Sequence, residues 1–268
     1  MTRLAIIGTG VMGETLIAGL LRAGWEPGQL TVVDRYAARV AEVARRHQVK
    51  TGTIAQACAA ADTVVVVVKP QDAPDVFPQV GEAIEAGTLV VSLCAGVTID
   101  QMEADLPAGT PVIRVMPNTP AQVDEGMAAV SAGHEATEEH LQHAVDLLEA
   151  VGKAMVVPEK YQDAVTAISG SGPAYLFFVV EAMIDAGVML GLPRDIATTL
   201  VSQTMYGSAK LLVESGEHPT VLRERVTSPG GTTAAAQRKL EDHRVKAAFM
   251  EAMEAARDRS AELATPRA

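Results

Sequence analysis

Cysteine and aromatic residues are scarce in this sequence. Its two cysteines, Cys58 and Cys94, lie among small or apolar neighbours and cannot form the multiple disulfides of a small secreted protein. Aromatic residues make up only 3% of the chain, so the core must be built from Ala, Val, Leu, Ile and Met. With 48% hydrophobic residues, this composition is typical of an α/β protein or a helical bundle.

Positive charge is scarce as well. The chain has 33 acidic and only 22 basic residues, a formal net charge of −11. No run of Lys or Arg offers a surface for a phosphate backbone, so we expect no nucleic-acid partner.

An uncharged stretch long enough for a membrane span is also missing. The most apolar segment, residues 174–192, carries Glu181 and Asp185 near its middle, where charge is costly in lipid. We therefore predict a buried helix of a soluble protein and no membrane partner. Because the first residues show no signal-peptide pattern and the cysteines suit a reducing compartment, we expect a cytoplasmic protein.

Strand and helix patterns alternate through the first half of the chain. The run of five valines at residues 64–68 is typical of a strand that is covered on both faces. Alternation of this kind predicts a parallel, doubly wound sheet. The other predicted strands are residues 4–7, 31–33, 89–91 and 112–115, and a helix is predicted at 12–23.

The pattern changes near Pro158, after which no segment has a convincing strand pattern. Helical patterns occupy residues 161–169, 173–190, 194–214 and 243–262. We therefore predict two domains, a Rossmann-type α/β domain at 1–158 and an all-α domain at 159–268.

A glycine-rich turn directly follows the first predicted strand and opens the first helix. In G-x-G-x-x-G motifs the glycines permit a tight turn, close approach to a pyrophosphate and close packing of helix on strand, and the helix N-terminus attracts the phosphates. An acidic residue, Asp34, follows about 20 residues later, as the motif requires. The predicted dinucleotide-binding loop consists of Gly8, Thr9, Gly10, Val11, Met12 and Gly13.

The type of nicotinamide cofactor depends on the residues after the second strand. The Asp34 carboxylate can accept hydrogen bonds from the ribose 2′-hydroxyl of NAD and would repel a 2′-phosphate. Arg35 and Arg39 can instead pair with that phosphate, although both can equally be solvated helix residues. We predict NADP, with NAD as the alternative.

Three more cofactor residues are expected at the carboxyl edge of the sheet, where doubly wound proteins bind ligands. Lys69, Ala95 and Asn118 each follow a predicted strand. The small residues around Ala95 would let the backbone approach the nicotinamide half, and the Asn118 amide can donate and accept. Turn formation alone is the alternative explanation for each.

Two segments of the helical half combine glycines with hydroxyl side chains before a helix. One runs from Thr166 to Pro173, and the other contains Ser228, Gly231, Thr232 and Thr233. Such a turn presents several N–H donors to an anion, here a carboxylate. Helix capping is the alternative, and it accounts for one hydroxyl in each segment but not for the whole set.

Taken together, these motifs resemble the pyrroline-5-carboxylate reductase family over essentially the whole chain. The resemblance rests on G-x-G-x-M-G at 8–13, V-K-P at 68–70, A-G-V-T at 95–98, R-V-M-P-N-T-P at 114–120, S-G-S-G-P-A-Y at 169–175, G-L-P-R at 191–194 and S-P-G-G-T-T at 228–233. It implies reduction of 1-pyrroline-5-carboxylate to L-proline, usually with NADPH, as the last step of proline biosynthesis. It also implies that subunits dimerise through the helical domain, often within decamers.

The resemblance also implies roles for individual residues. Ser228, Gly231, Thr232 and Thr233 would hold the substrate carboxylate and ring nitrogen, with Thr233 as the catalytic hydrogen-bond donor. Glu159 and Thr166 would lie near the substrate, contributed by the same subunit or its partner. Residues 8–13, Lys69, Ala95 and Asn118 would line the cofactor.

Two other functions remain as alternatives. A related hydroxy-acid dehydrogenase would need a Lys or His to move a proton at the alcohol oxygen. The chain has no Lys between Lys160 and Lys210 and no His between His143 and His218. A non-catalytic NAD(P)-binding protein would have no use for the segment 228–233. His140 and His143 share a helix face, but their acidic surroundings indicate a solvated surface, and we predict no metal.

Overall fold

The valine-rich runs form the centre of an eight-stranded sheet in the computed structural model, which describes residues 2–264. The sheet order is β3-β2-β1-β4-β5-β6-β7-β8, and neighbouring strands from β3 to β6 are parallel. Because β1 lies between β2 and β4, the strand order reverses beside β1, where doubly wound proteins bind ligands. The strands are β1 (Leu4–Ile7), β2 (Leu30–Val33), β3 (Lys50–Thr51), β4 (Thr63–Val66), β5 (Leu89–Ser92), β6 (Val112–Met116), β7 (Gly126–Ala132) and β8 (Gly152–Val156).

Three of these strands are absent from the sequence-based prediction. β3 has only two residues and both are exposed, so it carries no hydrophobic pattern. β7 has one Gly and three Ala among its seven residues, and β8 has one Gly and one Ala among its five; both residue types have low strand propensity. Glycine is required where the two strands approach each other closely. A Cβ on Gly152 would lie 2.2 Å from the Gly126 carbonyl oxygen. β7 runs antiparallel to β6 and parallel to β8.

Helices cover both faces of the sheet, which explains why its strands are hydrophobic without alternation. Leu4 and Ile6 of β1 face one core, and Ala5 and Ile7 face the other. Helices α1, α2 and α6 pack on the first face, and α3, α4 and α5 pack on the second. Their bounds, with the short α7 that follows β8, are α1 (Val11–Arg22), α2 (Ala37–His47), α3 (Ile54–Ala59), α4 (Ala73–Gly81), α5 (Ile99–Asp105), α6 (Glu138–Glu149) and α7 (Gln162–Val165).

Both cysteines lie in the second of these cores. Cys58 and Cys94 are buried free thiols. Burial raises the pKa of the Cys58 thiol to about 11, because the thiolate would lose its hydration. Burial also raises the pKa of the Cys94 thiol, so neither side chain is a reactive thiolate at neutral pH.

The chain divides into two compact units, one formed by residues 2–171 with 256–264 and the other by 172–255. The second unit is entirely helical, so the predicted combination of a Rossmann-type domain with an all-α domain is confirmed. α9 ends at Ser215, and its C-cap Gly216 has a left-handed φ of +62°. The helices are α8 (Gly172–Met189), α9 (Arg194–Ser215), α10 (Pro219–Arg225), α11 (Thr232–Asp242) and α12 (Val245–Ala264), whose last turns belong to the first unit.

The second unit exposes large apolar side chains in the single chain. Within residues 172–255, the buried hydrophobic residues are Ala197 and Val201. Phe177 and Phe178 of α8 are 68% and 70% exposed. By length and composition alone, the helical run Glu159–Met189 is also sufficient to cross a membrane. Exposed apolar side chains clustered in this way mark an interaction surface.

Candidate active site

The glycine-rich loop between β1 and α1 is held by very close backbone contacts. Gly8 has a φ of +110°, and a Cβ there would lie 2.3 Å from the carbonyl oxygen of Val67. A Cβ on Gly13 would lie 2.0 Å from the carbonyl oxygen of Gly8. Neither position can accept a side chain without moving the backbone of the loop.

Gly10 differs from the other two glycines of the motif. Its φ of −63° suits any residue, and a Cβ there would have no atom within 4 Å. No side chain among residues 2–264 caps the start of α1. The loop therefore leaves open space beside free helix N–H groups, which is the arrangement that a pyrophosphate requires.

Asp34 holds this loop through Thr9. One carboxylate oxygen accepts hydrogen bonds from Thr9 N (2.7 Å) and Thr9 Oγ1 (3.0 Å), and the other accepts from Tyr36 N (3.1 Å). Burial disfavours the charged carboxylate, but these hydrogen bonds outweigh it and lower the pKa of Asp34. The proposed contact of Asp34 with a ribose hydroxyl would have to share oxygens that already accept these bonds.

The two arginines considered for a 2′-phosphate have different surroundings. Arg39 Nε donates to the Thr9 carbonyl (2.9 Å), and its guanidinium also pairs with Glu14 and with Glu42 (2.9 Å). It therefore fixes the loop from the other side. Arg35 lies over the Tyr36 ring, and its ion pair among residues 2–264 is with Asp72.

A cavity of about 480 Å³ lies at the carboxyl ends of β1, β2 and β4. It brings together five of the eleven cofactor residues expected from the sequence. Asp72 and Asp75, which the sequence did not single out, also line it. The expected residues on its wall are Gly8, Gly10, Asp34, Arg35 and Lys69.

Ala95 and Asn118 lie outside this cavity, in the loops after β5 and β6. The loop of Ala95 turns at Gly96, with a φ of +74°, beneath Leu263 in the last turn of α12. Asn118 links two segments of the first unit. Its Oδ1 accepts from Met127 N (2.8 Å), and its Nδ2 donates to Ser169 O and Oγ (both 3.3 Å).

Glu159 is engaged in a buried polar contact that the sequence did not reveal. Its Oε1 accepts from the backbone N–H of Ile99 and from the Arg114 guanidinium, both at 2.8 Å. Arg114 is only 6% exposed, an unusual position for a charge. The signal was an arginine inside the apolar strand β6. The Thr166 hydroxyl donates to the Gln162 carbonyl (2.8 Å) within its own helical turn.

Replacing Glu159 by Ala is expected to destabilise the protein by about 2–3 kcal/mol. Removing one partner of a buried ion pair leaves the other charge uncompensated, although partial exposure of Glu159 reduces the effect. Unfolding by urea measures the difference, and Glu159→Gln, which keeps an acceptor oxygen, should lose less. Equal stability of Glu159→Ala and the unmodified protein would show that the ion pair of Glu159 with Arg114 does not stabilise the fold.

The segment Ser228–Thr233 forms a tight turn at the start of α11 in the second unit. Gly231 N donates to Ser228 O (3.0 Å), Gly230 has a φ of +70°, and a Cβ on Gly231 would lie 2.4 Å from Ser228 Oγ. Gly231, which has no side chain, is the N-cap of α11. Helix capping therefore does not explain the hydroxyls of this segment.

Within residues 2–264, the hydroxyls of Ser228, Thr232 and Thr233 make no hydrogen bond to the protein. The turn is held instead by two residues that the sequence did not single out. Thr227 Oγ1 donates to Arg223 O (2.7 Å) and accepts from Gln237 Nε2 (2.8 Å). The free N–H groups of the first turn of α11 and the three hydroxyls thus form a set of donors suited to a carboxylate.

The two histidines considered for a metal, His140 and His143, contact different parts of the chain. The Thr137 N–H donates to His140 Nδ1 (3.1 Å), and His143 Nε2 lies 3.1 Å from Thr63 Oγ1. Burial lowers the pKa of His143, so its ring is neutral at pH 7.

Two family models match the chain. The model described as pyrroline-5-carboxylate reductase dimerisation matches residues 159–263. The model described as NADP oxidoreductase coenzyme F420-dependent matches residues 3–96.

Curated relatives match nearly the whole chain. The pyrroline-5-carboxylate reductase of Mycobacterium tuberculosis (strain ATCC 25618 / H37Rv) is 43% identical, covering 98% of this chain and 97% of the relative. The enzyme of the same name from Escherichia coli (strain K12) is 38% identical, covering 97% and 98%.

Solved structures give the same result. A pyrroline-5-carboxylate reductase from Coxiella burnetii superposes with a TM-score of 0.93 at 33% identity, covering 99% of both chains. The pyrroline carboxylate reductase of Plasmodium falciparum, solved with NADP bound, gives a TM-score of 0.87 at 29% identity, covering 98% of both chains.

Proposed function

The chain belongs to the pyrroline-5-carboxylate reductase family, and from this premise we propose that it reduces the imine of 1-pyrroline-5-carboxylate to L-proline with NAD(P)H. This is the last step of proline biosynthesis. The observation that carries the proposal is the turn Ser228–Thr233 at the start of α11, whose three hydroxyls make no hydrogen bond within residues 2–264.

The cofactor, when bound, supplies the hydride to the imine carbon. The glycine loop would hold the pyrophosphate of the cofactor, because Gly10 leaves room for it at the start of α1. Lys69, Ala95 and Asn118 are proposed for the rest of the cofactor. We propose NADP as the cofactor and NAD as the alternative.

The turn at α11 is proposed to bind the substrate. Backbone N–H groups of Thr232 and Thr233 and the Ser228 hydroxyl hold the carboxylate at the positive end of the helix dipole. The Thr233 hydroxyl donates a hydrogen bond to the ring nitrogen, which becomes basic as the imine carbon accepts hydride. Because a threonine hydroxyl is too weak an acid to give up its proton alone, it relays a proton from water. Glu159 and Thr166 are proposed to lie near the substrate.

This chemistry needs no catalytic Lys or His, which separates it from the alternatives. A hydroxy-acid dehydrogenase would need such a residue to move the alcohol proton. A non-catalytic NAD(P)-binding protein would bind cofactor without consuming it. A steady-state assay with pyrroline-5-carboxylate, against NADPH and NADH in turn, tests all three. Cofactor oxidation with a 2-hydroxy or 2-oxo acid in its place would favour the dehydrogenase.

We also propose that residues 159–268 act as the substrate-binding and dimerisation domain and 1–158 as the dinucleotide-binding domain. The family model for dimerisation begins at residue 159 and supports this division. A dimer covers the exposed side chains of α8, including Phe177 and Phe178. The apolar helical run is then a subunit interface, and the protein a cytoplasmic one with no membrane or nucleic-acid partner. Dimers are proposed to assemble further, up to decamers.

Light scattering at micromolar concentration is expected to give a mass of at least two chains. The reason is that an exposed apolar face of this size is not stable in water as a monomer. Replacing Phe177 and Phe178 together by Asp should shift the mass toward one chain. A monomeric mass for the unmodified protein would rule out the dimer.

A further inference from the structure

We propose that Asp72 sets the preference between the two cofactors by holding Arg35, the guanidinium that a 2′-phosphate would otherwise use. The inference rests on the proposed function only in that the cavity at β1, β2 and β4 takes the adenosine half of a nicotinamide dinucleotide. Asp72 thereby becomes a specificity-determining residue that weakens the preference for the 2′-phosphate of NADP.

The first step is that two charged residues beside the cavity are already committed to the loop. Asp34 accepts from the N–H and hydroxyl of Thr9, and Arg39 donates to its carbonyl. These bonds occupy the N–H, the hydroxyl and the carbonyl of Thr9, which is fully buried. Turning Asp34 or Arg39 toward a ligand would release the loop that holds the pyrophosphate.

The second step is that Arg35 is bound differently. Its guanidinium lies 4.9 Å from the centre of the Tyr36 ring and donates to Asp72 Oδ1 at 2.7 Å. The side chains are 56% and 28% exposed, so the pair can open without leaving a buried charge. Arg35 is therefore a cation beside Asp34 that can change partner at low cost.

The third step concerns what else Asp72 does. It precedes α4, but its side chain makes no cap hydrogen bond to that helix. Its described polar contact is the one to Arg35, which brings a negative charge to the wall of the cavity. A phosphate on the ribose must displace this carboxylate from Arg35 and approach its charge, whereas a ribose with a free 2′-hydroxyl does neither.

Binding of cofactor fragments tests this without catalysis. Calorimetric titration of the full chain with adenosine 2′,5′-bisphosphate and with 5′-AMP separates the contribution of the 2′-phosphate. Asp72→Asn is expected to raise the affinity for the bisphosphate about three- to five-fold, the upper range for an exposed ion pair. Its affinity for 5′-AMP should change by less than about two-fold. The gain should shrink at high salt, because the charges are exposed.

Asp75→Asn is the matched control. Asp75 lines the same cavity, and within residues 2–264 it forms no ion pair. Its replacement should change bisphosphate binding by less than about two-fold, because it removes charge without freeing a guanidinium. Thermal unfolding of each variant shows whether the fold is intact, and Asp72→Ser gives a second test if Asp72→Asn is unstable.

The double variant Arg35→Ala with Asp72→Asn isolates the pair. In the Arg35→Ala background, Asp72→Asn should no longer tighten the bisphosphate. Equal tightening in both backgrounds would overturn the proposal in favour of a general field effect. Weaker bisphosphate binding by Asp72→Asn would also overturn it, because Asp72 would then orient Arg35 toward the phosphate. These titrations contain no pyrroline-5-carboxylate, so they decide the role of Asp72 even if the proposed reaction fails.

Discussion

Replacing Thr233 by Ala is expected to lower kcat for pyrroline-5-carboxylate reduction about 100-fold. The substitution removes one hydrogen bond that strengthens as the ring nitrogen becomes basic, and it leaves the backbone donors of α11 in place. Loss of a comparable donor in an oxyanion hole typically costs about 10²–10³ in kcat. We place the effect at the lower end because water can take over part of the role.

Three controls sharpen this prediction. Thr233→Ser keeps the hydroxyl and should restore most of the turnover. Ser228→Ala should mainly raise KM, because the carboxylate is bound equally in the ground state and in the transition state. NADPH affinity should be nearly unchanged in all three variants. Near-normal turnover of Thr233→Ala, or loss of NADPH binding instead, would mean that the substrate binds elsewhere.

Replacing Gly10 by Ala is expected to weaken NADP binding at least about 100-fold while leaving the melting temperature nearly unchanged. In the free protein the added methyl group meets no atom within 4 Å, and its backbone angles suit alanine. The methyl group would instead occupy the space where the pyrophosphate approaches the backbone. Fluorescence titration with NADPH and thermal unfolding measure the two effects.

Gly13→Ala is the contrasting variant. Its Cβ would lie 2.0 Å from the Gly8 carbonyl oxygen, so the loop or α1 must move and the melting temperature should fall. The pair therefore separates a glycine required by the ligand from a glycine required by the fold. Normal NADP affinity in Gly10→Ala would show that the phosphates do not approach α1 at this point.

The centre of the sheet could be predicted from the sequence because burial on both faces leaves a strong hydrophobic signal. Residues 64–68 are an example, although β4 ends at Val66. β7 and β8 could not be predicted, because their glycines are required by the close approach of Gly126 and Gly152, and glycine has a low strand propensity. Such contacts join residues far apart in the chain.

In the candidate site, too, local motifs could be predicted and long-range contacts could not. The motif 8–13 predicts a phosphate loop because each glycine follows from local geometry. The partners of Asp34, Arg39 and Glu159 could not be predicted, since they depend on how strands pack side by side. Arg114 and Glu159 are 45 positions apart, and Arg35 and Asp72 are 37 apart. Thr227 and Gln237, which hold the α11 turn, likewise carry no recognisable motif.

The most direct test of the proposed reaction is to follow the hydride itself. Cofactor carrying deuterium at the transferring position of nicotinamide C4 is incubated with the protein and pyrroline-5-carboxylate, and the product is analysed by NMR and mass spectrometry. We predict L-proline with one deuterium on the ring carbon that was the imine carbon. Unlabelled proline, or oxidised cofactor without proline, would contradict the assignment of this chain as an imine reductase.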